Sequence, residues 1–221
     1  MPEKKKNSVI SFRYFGYDFV RVTAAPGLLF FRPKKLYISE KAKQKINGGA
    51  LLISNHVSLF DPMYLMLGIW RRRHHYIATK ELFDSKFKNW LFTNVFLCIK
   101  IDRDNFSIKT FKDIVKHLKD GELVSMFPEG YVNEQQEGIQ TFKSGMVMMA
   151  LKSGCPIIPV YLKRRKHWYS RLVIGVGEPI DINDFKSGEM ATLEDIDRAA
   201  KYLQEQEEKL ECLCEGGNKN A

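Results

Sequence analysis

One histidine and one aspartate stand five residues apart where a short apolar run ends. His56 follows the run Ala50–Ser54, and Asp61 precedes Pro62. On a straight helix five residues amount to about 500° of rotation, so the two side chains would not share a face. If His56 lies on a loop and Asp61 begins a helix, the carboxylate can return to the imidazole and leave its other nitrogen free as a base. Such a pair activates a hydroxyl for attack on a carbonyl; the alternative is a helix cap beside a space-filling histidine.

Polar residues also follow the other strands that the sequence predicts. Short apolar runs favour strands at 50–54, 76–80, 96–102 and 122–127. Ligands of open α/β sheets bind outside the carboxyl ends of the strands. We therefore expect one sheet edge to carry the residues just past these runs: Asn55 and His56, Lys80 and Glu81, Arg103, Asp104 and Asn105, and Pro128, Glu129 and Gly130. A histidine, several carboxylates and two or more cations at one edge favour a catalytic role for His56 over a packing role.

The alternation of apolar runs with longer mixed segments predicts the fold. Further strands are expected at 156–162 and 171–177, and helices at 61–70, 84–94, 107–119, 142–153 and 192–213. Ser107 can cap the helix at 107–119, and Gly121 can stop it. Strands that alternate with helices are typical of an α/β domain. We predict a single layered α/β domain with a mostly parallel central sheet flanked by helices, plus an N-terminal segment.

The N-terminal segment, residues 1–35, is basic and rich in aromatic residues, and the domain follows at 36–221. Apolar residues recur at helical spacing within 11–24: Phe12, Phe15, Phe19 and Val22. Bulky apolar side chains beside cations suit a helix that lies in the headgroup layer of a membrane. The same pattern equally suits an ordinary amphipathic helix packed on the core.

Charge is distributed unevenly along the 221 residues, whose formal net charge is +9. Residues 1–50 contain 11 Lys and Arg against 3 Asp and Glu, whereas residues 178–221 contain 5 against 12. Such an asymmetry favours a face that meets an anionic partner: nucleic acid, anionic lipid or a phosphorylated substrate. A solvated basic surface is the alternative. His74 and His75, which follow three arginines, are assigned to basic surface.

Several classes of function are disfavoured by missing motifs. The sequence has no Gly-x-Ser-x-Gly elbow, no Walker-type loop and no Gly-x-Gly-x-x-Gly, which disfavours a serine hydrolase of that type and the common nucleotide-binding proteins. We expect no secretory signal and no membrane-spanning helix, because no apolar stretch reaches about 18 residues. The cysteines form no disulfide-like framework, which fits a reducing compartment. Cys212 and Cys214 lack a second ligand pair, so we expect no metal there.

Six short blocks stand in one order between residues 50 and 162. They are NHVSLFD, YIATKELF, IKIDRDN, FPEG, FKSG and PIIPVYL. Together they resemble the glycerolipid acyltransferase family, whose best-known members are the lysophosphatidic acid acyltransferases. The first block is similar to the family's Asn-His-x4-Asp block, and the fourth to its Phe-Pro-Glu-Gly block. Each block alone is a weak signal, whereas six in order at plausible spacing are a strong one.

The resemblance implies a role for each matching residue. His56 would be the general base on the acceptor hydroxyl, and Asp61 would orient and stabilise it. Arg103 would bind the acceptor's phosphate, a task that suits a planar fork of donors. The other residues assigned to the substrate are Asn55, Lys80, Glu129, Gly130 and Lys143.

Two positions depart from the family's pattern. Tyr131 stands where the family usually has Thr or Ser, and Leu97 stands near a position that is often glycine before the Asp-Arg block. Both concern the identity of the acceptor more than the chemistry.

The implied reaction moves a fatty acyl group from acyl-CoA or acyl carrier protein to lysophosphatidic acid. The thioester is attacked directly, with no covalent acyl-enzyme and no cofactor beyond the donor. We expect a peripheral protein on the cytoplasmic face of a membrane, where lysolipids are found. The alternatives are another acceptor (glycerol 3-phosphate, another lysophospholipid or an acylated amino acid) and a non-catalytic membrane-surface binding protein. Nucleic acid is not an expected partner, because no reader motif accompanies the charge.

Overall fold

One seven-stranded sheet organises the part of the chain that the computed structural model describes, which is residues 14–27, 33–102, 105–133, 142, 144–167 and 169–216. The strands are β1 Lys34–Tyr37, β2 Ala50–Ser54, β3 His74–Thr79, β4 Ile99–Ile101, β5 Leu123–Met126, β6 Ile157–Leu162 and β7 Val173–Val176. Their order across the sheet is β1-β7-β6-β2-β5-β3-β4. All neighbouring pairs are parallel except β6 and β7. The loops after β2, β5 and β6 therefore leave the same edge of the sheet side by side.

Helices cover both faces of this sheet. Among the described residues they are α1 Phe15–Thr23, α2 Asp61–Gly68, α3 Lys86–Trp90, α4 Ile108–Lys119, α5 Gly145–Ser153 and α6 Leu193–Glu215. Leu51 and Ile53 of β2 pack in one core with α4, α5 and α6, and Leu52 packs in the other with α2. Because β2 is covered on both faces, all five of its residues are buried. The loop that carries His56 thus begins at a fully buried strand in the middle of the sheet.

The predicted layering and mostly parallel sheet are confirmed. The Oγ atom of Ser107 accepts the N–H of Thr110 at 3.1 Å and caps α4, and Gly121 follows that helix with a φ of +83°. Two elements differ from the prediction. The helix expected at 84–94 is α3 followed by a wider π-helical turn, Leu91–Val95, and the short edge strand β1 was not predicted.

The first helix turns Tyr17 and two charged side chains inward and its phenylalanines outward. Asp18 and Arg21 are each 2% exposed, whereas Phe15 and Phe19 are 62% and 59% exposed. The Asp18 carboxylate accepts two hydrogen bonds from Arg73, at 2.9 and 2.7 Å, and pairs with Arg21 at 2.9 Å. The described part of the expected amphipathic helix is therefore attached to the domain through its polar face. None of the helices in the described ranges combines the length and the apolarity that a bilayer crossing requires.

His74 and His75 do not form the basic surface that the sequence suggested, and Arg72 beside them is also buried. Arg72 donates to three backbone carbonyls at 2.7 to 3.0 Å. His74 is fully buried with Nδ1 2.8 Å from Oγ of Ser125, and burial lowers the pKa of His74 to about 3. His75 is also buried. The prediction was wrong because a run of cations does not reveal which carbonyls and hydroxyls other segments bring to it.

Candidate active site

The loop after β2 brings His56 into contact with Asp61, the first residue of α2. Oδ2 of Asp61 lies 2.8 Å from Nδ1 of His56, as the turn between them allows. The same oxygen accepts the backbone N–H groups of Val57 at 2.7 Å and of Ser58 at 2.8 Å. Because an ionised carboxylate only accepts hydrogen bonds, Nδ1 carries the ring proton and Nε2 of the neutral ring keeps its lone pair. The geometry is that of an oriented base.

Contacts around His56 fix the ring while leaving it accessible. The backbone carbonyl of His56 accepts the N–H of Asn133 at 2.7 Å. The imidazole stacks on the ring of Phe127, with centroids 4.1 Å apart and planes 15° apart. The His56 side chain is 15% exposed, and that of Asp61 is 0% exposed. Solvent therefore reaches the imidazole but not the carboxylate behind it.

A tight turn after β5 brings Glu129 to the His56 loop. The N–H of Gly130 donates to the carbonyl of Phe127 at 3.0 Å, and Pro128 occupies the second position of the turn, which its fixed φ suits. Gly130 has a φ of +81°, a conformation that glycine adopts at no steric cost. The FPEG block thus forms a turn whose acidic residue points to the base.

Glu129 is a buried carboxyl group with an incomplete set of partners. It is 4% exposed, and its Oε2 atom has no hydrogen-bond partner among the described residues. Burial raises the pKa of Glu129 to about 7; the backbone N–H of His56 opposes this shift, and the charge of Asp61 adds to it. A buried acceptor without a donor costs free energy. This oxygen is therefore suited to receive a ligand hydroxyl.

Lys80 stands at the same sheet edge, but away from His56. It begins the 3-10 helix Lys80–Phe83 after β3, and its ammonium group lies 2.8 Å from Oδ2 of Asp102, which follows β4. β5 separates β3 from β2, and adjacent strands are about 4.8 Å apart. The structure thus gathers Asn55, His56, Asp61, Glu129 and Gly130 closely and places Lys80 two strands away. Arg103 and Lys143 lie outside the described residues.

A cationic loop after β6 borders the site on its other side, and the sequence reasoning missed it. A groove of about 1190 Å³ extends from Asn55, Asp61 and Glu129 along this loop. The cations that line it are Lys163, Arg164, Arg165, Lys166 and Arg171. Four of these directly follow the predicted strand 156–162. Because ligands of open α/β sheets bind past the carboxyl ends of the strands, the sequence does contain a signal for them. Glu211 and Glu215 of α6 also line the groove, and Lys163 pairs with Glu215 at 3.0 Å.

Hydrogen bonds connect this cationic loop to both flanks of the base. Arg164 donates to the carbonyl of Asn133, the residue whose own N–H is bound to the carbonyl of His56. Arg165 donates to the hydroxyl of Tyr64 on α2 and lies 4.6 Å from the centre of its ring. Movement of the loop would therefore shift the backbone of His56 through Asn133, and α2 through Tyr64.

Comparison with known proteins decides the family. Residues 35–163, more than half of the chain, match the family model described as Acyltransferase. The chain belongs to the acyltransferase family. The matched range contains both the His-x4-Asp pair and the FPEG turn.

Individual relatives of this acyltransferase carry more specific names. The 1-acyl-sn-glycerol-3-phosphate acyltransferase of Bacillus subtilis is 26% identical over 155 residues, which are 67% of this chain and 75% of the relative. The enzyme of the same name from Salmonella typhimurium is 28% identical over 192 residues, covering 81% and 74%. The crystal structure of the 1-acyl-sn-glycerophosphate (LPA) acyltransferase PlsC from Thermotoga maritima is similar with a TM-score of 0.65 at 20% identity, covering 96% of this chain and 83% of that one. This last similarity concerns the fold.

Proposed function

We propose that this acyltransferase moves a fatty acyl group from an acyl thioester to the free hydroxyl of lysophosphatidic acid, which gives phosphatidic acid for phospholipid synthesis. The observation that carries the proposal is the contact between Asp61 and Nδ1 of His56, with Glu129 beside it. The names of the relatives support the choice of acceptor.

The reaction needs one base, which His56 supplies. Nε2 of His56 takes the proton of the acceptor hydroxyl while the oxygen attacks the thioester carbonyl. Asp61 holds Nδ1–H and stabilises the imidazolium that forms. The tetrahedral intermediate then expels the thiolate, which takes the proton from the imidazolium, so His56 returns to its neutral form. Glu129, which is buried beside the His56 loop, shapes the acceptor side of the site.

We assign the acceptor's phosphate to the side of the site formed by β3 and β4. Lys80 stands at this end of the sheet, and Arg103 follows β4 in the sequence. The ammonium group of Lys80 donates to Oδ2 of Asp102 at 2.8 Å, which fixes its position at this end of the sheet. Lys143 is a further phosphate ligand in this proposal.

We assign the donor to the groove on the opposite side, along the loop after β6. Acyl-CoA and acyl carrier protein both present a phosphopantetheine arm, and the cations of 163–166 suit its phosphate. β2 lies between β5 and β6, so His56 stands between the two cationic regions. Two anionic substrates would thus reach the base from opposite sides, with hydroxyl and thioester meeting at its ring.

We propose that the protein attaches peripherally to the cytoplasmic face of a membrane through α1 and α3. Phe15, Phe19 and Val22 of α1 are exposed, and so are Phe87 and Trp90 of α3. The polar face of α1 is already occupied by ion pairs within the domain. Aromatic rings that face outward beside a basic N-terminal segment suit the headgroup layer.

The test is release of free thiol from acyl-CoA, and separately from acyl carrier protein, in the presence of lysophosphatidic acid, with mass spectrometry of the lipid product. We expect phosphatidic acid from the wild-type protein and none from His56→Ala. Lys201→Ala, at an exposed position of α6, should match the wild type. Turnover that persists in His56→Ala would refute the assignment of the base. If only another acceptor of a panel is acylated, that acceptor takes the place of lysophosphatidic acid in the proposal. Vesicle binding without turnover of any acceptor would indicate a non-catalytic membrane-surface protein.

A further inference from the structure

Two histidines and a glutamate meet at the sheet edge opposite to His56. His75 is the second residue of β3, Glu122 directly precedes β5, and His117 lies in the last turn of α4. β3 and β5 are neighbours, with His75 paired to Val124, so the starts of both strands lie together. One ligand atom from each of the three side chains lies within 4.8 Å of the other two. Three separate elements thus converge on one point.

The distances within this cluster are close to those between ligands of one metal ion. Nε2 of His75 lies 3.3 Å from Oε2 of Glu122, and Nδ1 of His117 lies 2.5 Å from the same oxygen. Ligands that hold zinc at about 2.0–2.2 Å in a tetrahedron lie about 3.3–3.5 Å apart. The first pair already has this separation. The second pair must open by about 1 Å, which rotation of the partly exposed His117 side chain can supply.

The surroundings of the cluster determine how well it suits a cation. The hydroxyl of Tyr14 donates to Oε1 of Glu122 at 2.8 Å, which orients the carboxylate with Oε2 toward the histidines. His117 lies at the carbonyl end of α4, where a positive charge is favoured. The side chains of His117 and Glu122 are 35% and 20% exposed, so water can complete the coordination. The positive charge of Arg72, which interacts with Glu122, opposes binding and limits the affinity.

We propose that His75, His117 and Glu122 bind one zinc ion, with water as a further ligand. Two imidazole nitrogens and one carboxylate oxygen are a donor set that zinc accepts, whereas magnesium and calcium take oxygen ligands. The ion stands apart from the proposed base, because the cluster lies at the edge of the sheet away from His56. Tyr14 directly precedes α1 and is bound to Glu122, so the ion also strengthens the attachment of α1 to the domain.

The experiment measures zinc binding to tag-free protein by competition with a chromogenic chelator, and cobalt binding by visible absorption that reports tetrahedral coordination. We expect one zinc ion per chain and a rise in Tm when zinc is added, since a ligand of the native state stabilises it. His117→Asn should weaken zinc binding roughly tenfold or more and abolish the rise in Tm. Magnesium should produce no rise in Tm.

The control is His167→Asn, which alters an exposed histidine outside the cluster and should bind zinc as the wild type does. Equal zinc affinity in the wild type and in His117→Asn would overturn the proposal. So would a wild-type stoichiometry well below one; the three residues then form an ion-paired cluster only. Acyl transfer is not part of the readout, so the result is independent of the proposed function.

Discussion

The side chain of Asn55 and the backbone of Leu162 form two hydrogen bonds with each other. Nδ2 of Asn55 donates to the Leu162 carbonyl at 3.0 Å, and the Leu162 N–H donates to Oδ1 at 2.7 Å. The last backbone pair of β2 and β6 joins Ser54 to Val160, so the amide of Asn55 continues the pairing after β2 has ended. The residue before the base is thereby fixed to the strand that leads into the cationic loop.

Asn55→Asp should disrupt the hydrogen bonds between Asn55 and Leu162. The substitution keeps the shape but turns a carboxylate oxygen toward the Leu162 carbonyl where Nδ2 donated. We expect a loss of about 1–3 kcal/mol in the free energy of unfolding, together with a lower kcat because the His56 loop is less well fixed. Urea denaturation and steady-state kinetics measure the two effects. Asn89→Asp, on an exposed position of α3, is the matched control; a variant at Asn55 as stable as that control would contradict the prediction.

Asp61→Asn should remove most of the activity without removing the side chain. The amide lacks the charge that stabilises the imidazolium of His56, so we expect kcat to fall by about 10³–10⁴ with little change in KM. When two residues act together in catalysis, the losses in kcat from their single substitutions do not multiply in the double variant. The double variant with His56→Ala should therefore be no slower than His56→Ala alone, and thiol-release kinetics of the three variants check this. A further large loss in the double variant would show that Asp61 acts independently of the base.

The α/β layering and the contact between His56 and Asp61 could be predicted because both depend on nearby residues. Apolar runs of strand length alternate with helical periods, and their order alone indicates a parallel sheet. The carboxylate returns to the imidazole through a turn of five residues. Interactions that close within a few positions leave a local pattern in the sequence.

Features that depend on distant partners could not be predicted in the same way. The spacing of apolar residues in α1 predicts two faces but not which of them turns inward. The ion pair of Asp18 with Arg73, which is 55 positions away in the sequence, holds the charged face inward. Leu97 adopts a φ of +53°, unfavourable for a residue with a side chain, and its packing with Tyr17 and Met66 offsets that strain. Such outcomes are set by tertiary contacts rather than by local propensity.

Glu129→Gln should change how stability depends on pH. Burial raises the pKa of Glu129 from 4.5 to about 7, so between these values the folded protein holds a proton that the unfolded chain has lost. The free energy of unfolding therefore falls as pH rises from about 4.5 to 7, and this contribution is fully lost above pH 7. Glutamine does not titrate, so the variant should lose less stability across this window. Thermal unfolding at several pH values measures the difference.

The control for this pH experiment is Glu194→Gln, at an exposed carboxylate near the start of α6. Its pH profile should follow that of the wild type. If Glu129→Gln also follows the wild-type profile, Glu129 is ionised throughout the window and does not carry the shifted pKa.

Glu207→Leu should stabilise the protein. Glu207 is fully buried in the apolar face of α6, and neither of its carboxylate oxygens has a hydrogen-bond partner among the described residues. Burial raises its pKa well above the ordinary value, with the charges of Glu129 and Glu211 adding to the shift. Replacement by an apolar side chain of similar size should raise the free energy of unfolding by about 1–3 kcal/mol. Urea denaturation at pH 7 compares this variant with Glu205→Leu on the exposed face; a Glu207 variant that is less stable than wild type would reveal a partner for this carboxyl group.

Phe15→Ser combined with Phe19→Ser should weaken membrane attachment while leaving the fold intact. The two rings are more than half exposed and stack on each other 6.2 Å apart, so their removal opens no cavity in the core. Burial of one such side chain in the acyl boundary contributes about 1.5–3 kcal/mol, so vesicle affinity should fall by roughly tenfold or more for each ring. Flotation with phosphatidylglycerol vesicles measures the affinity, and Leu193→Ser, another exposed apolar position, is the control. If the double variant floats as the wild type does, the aromatic face of α1 is not the attachment surface.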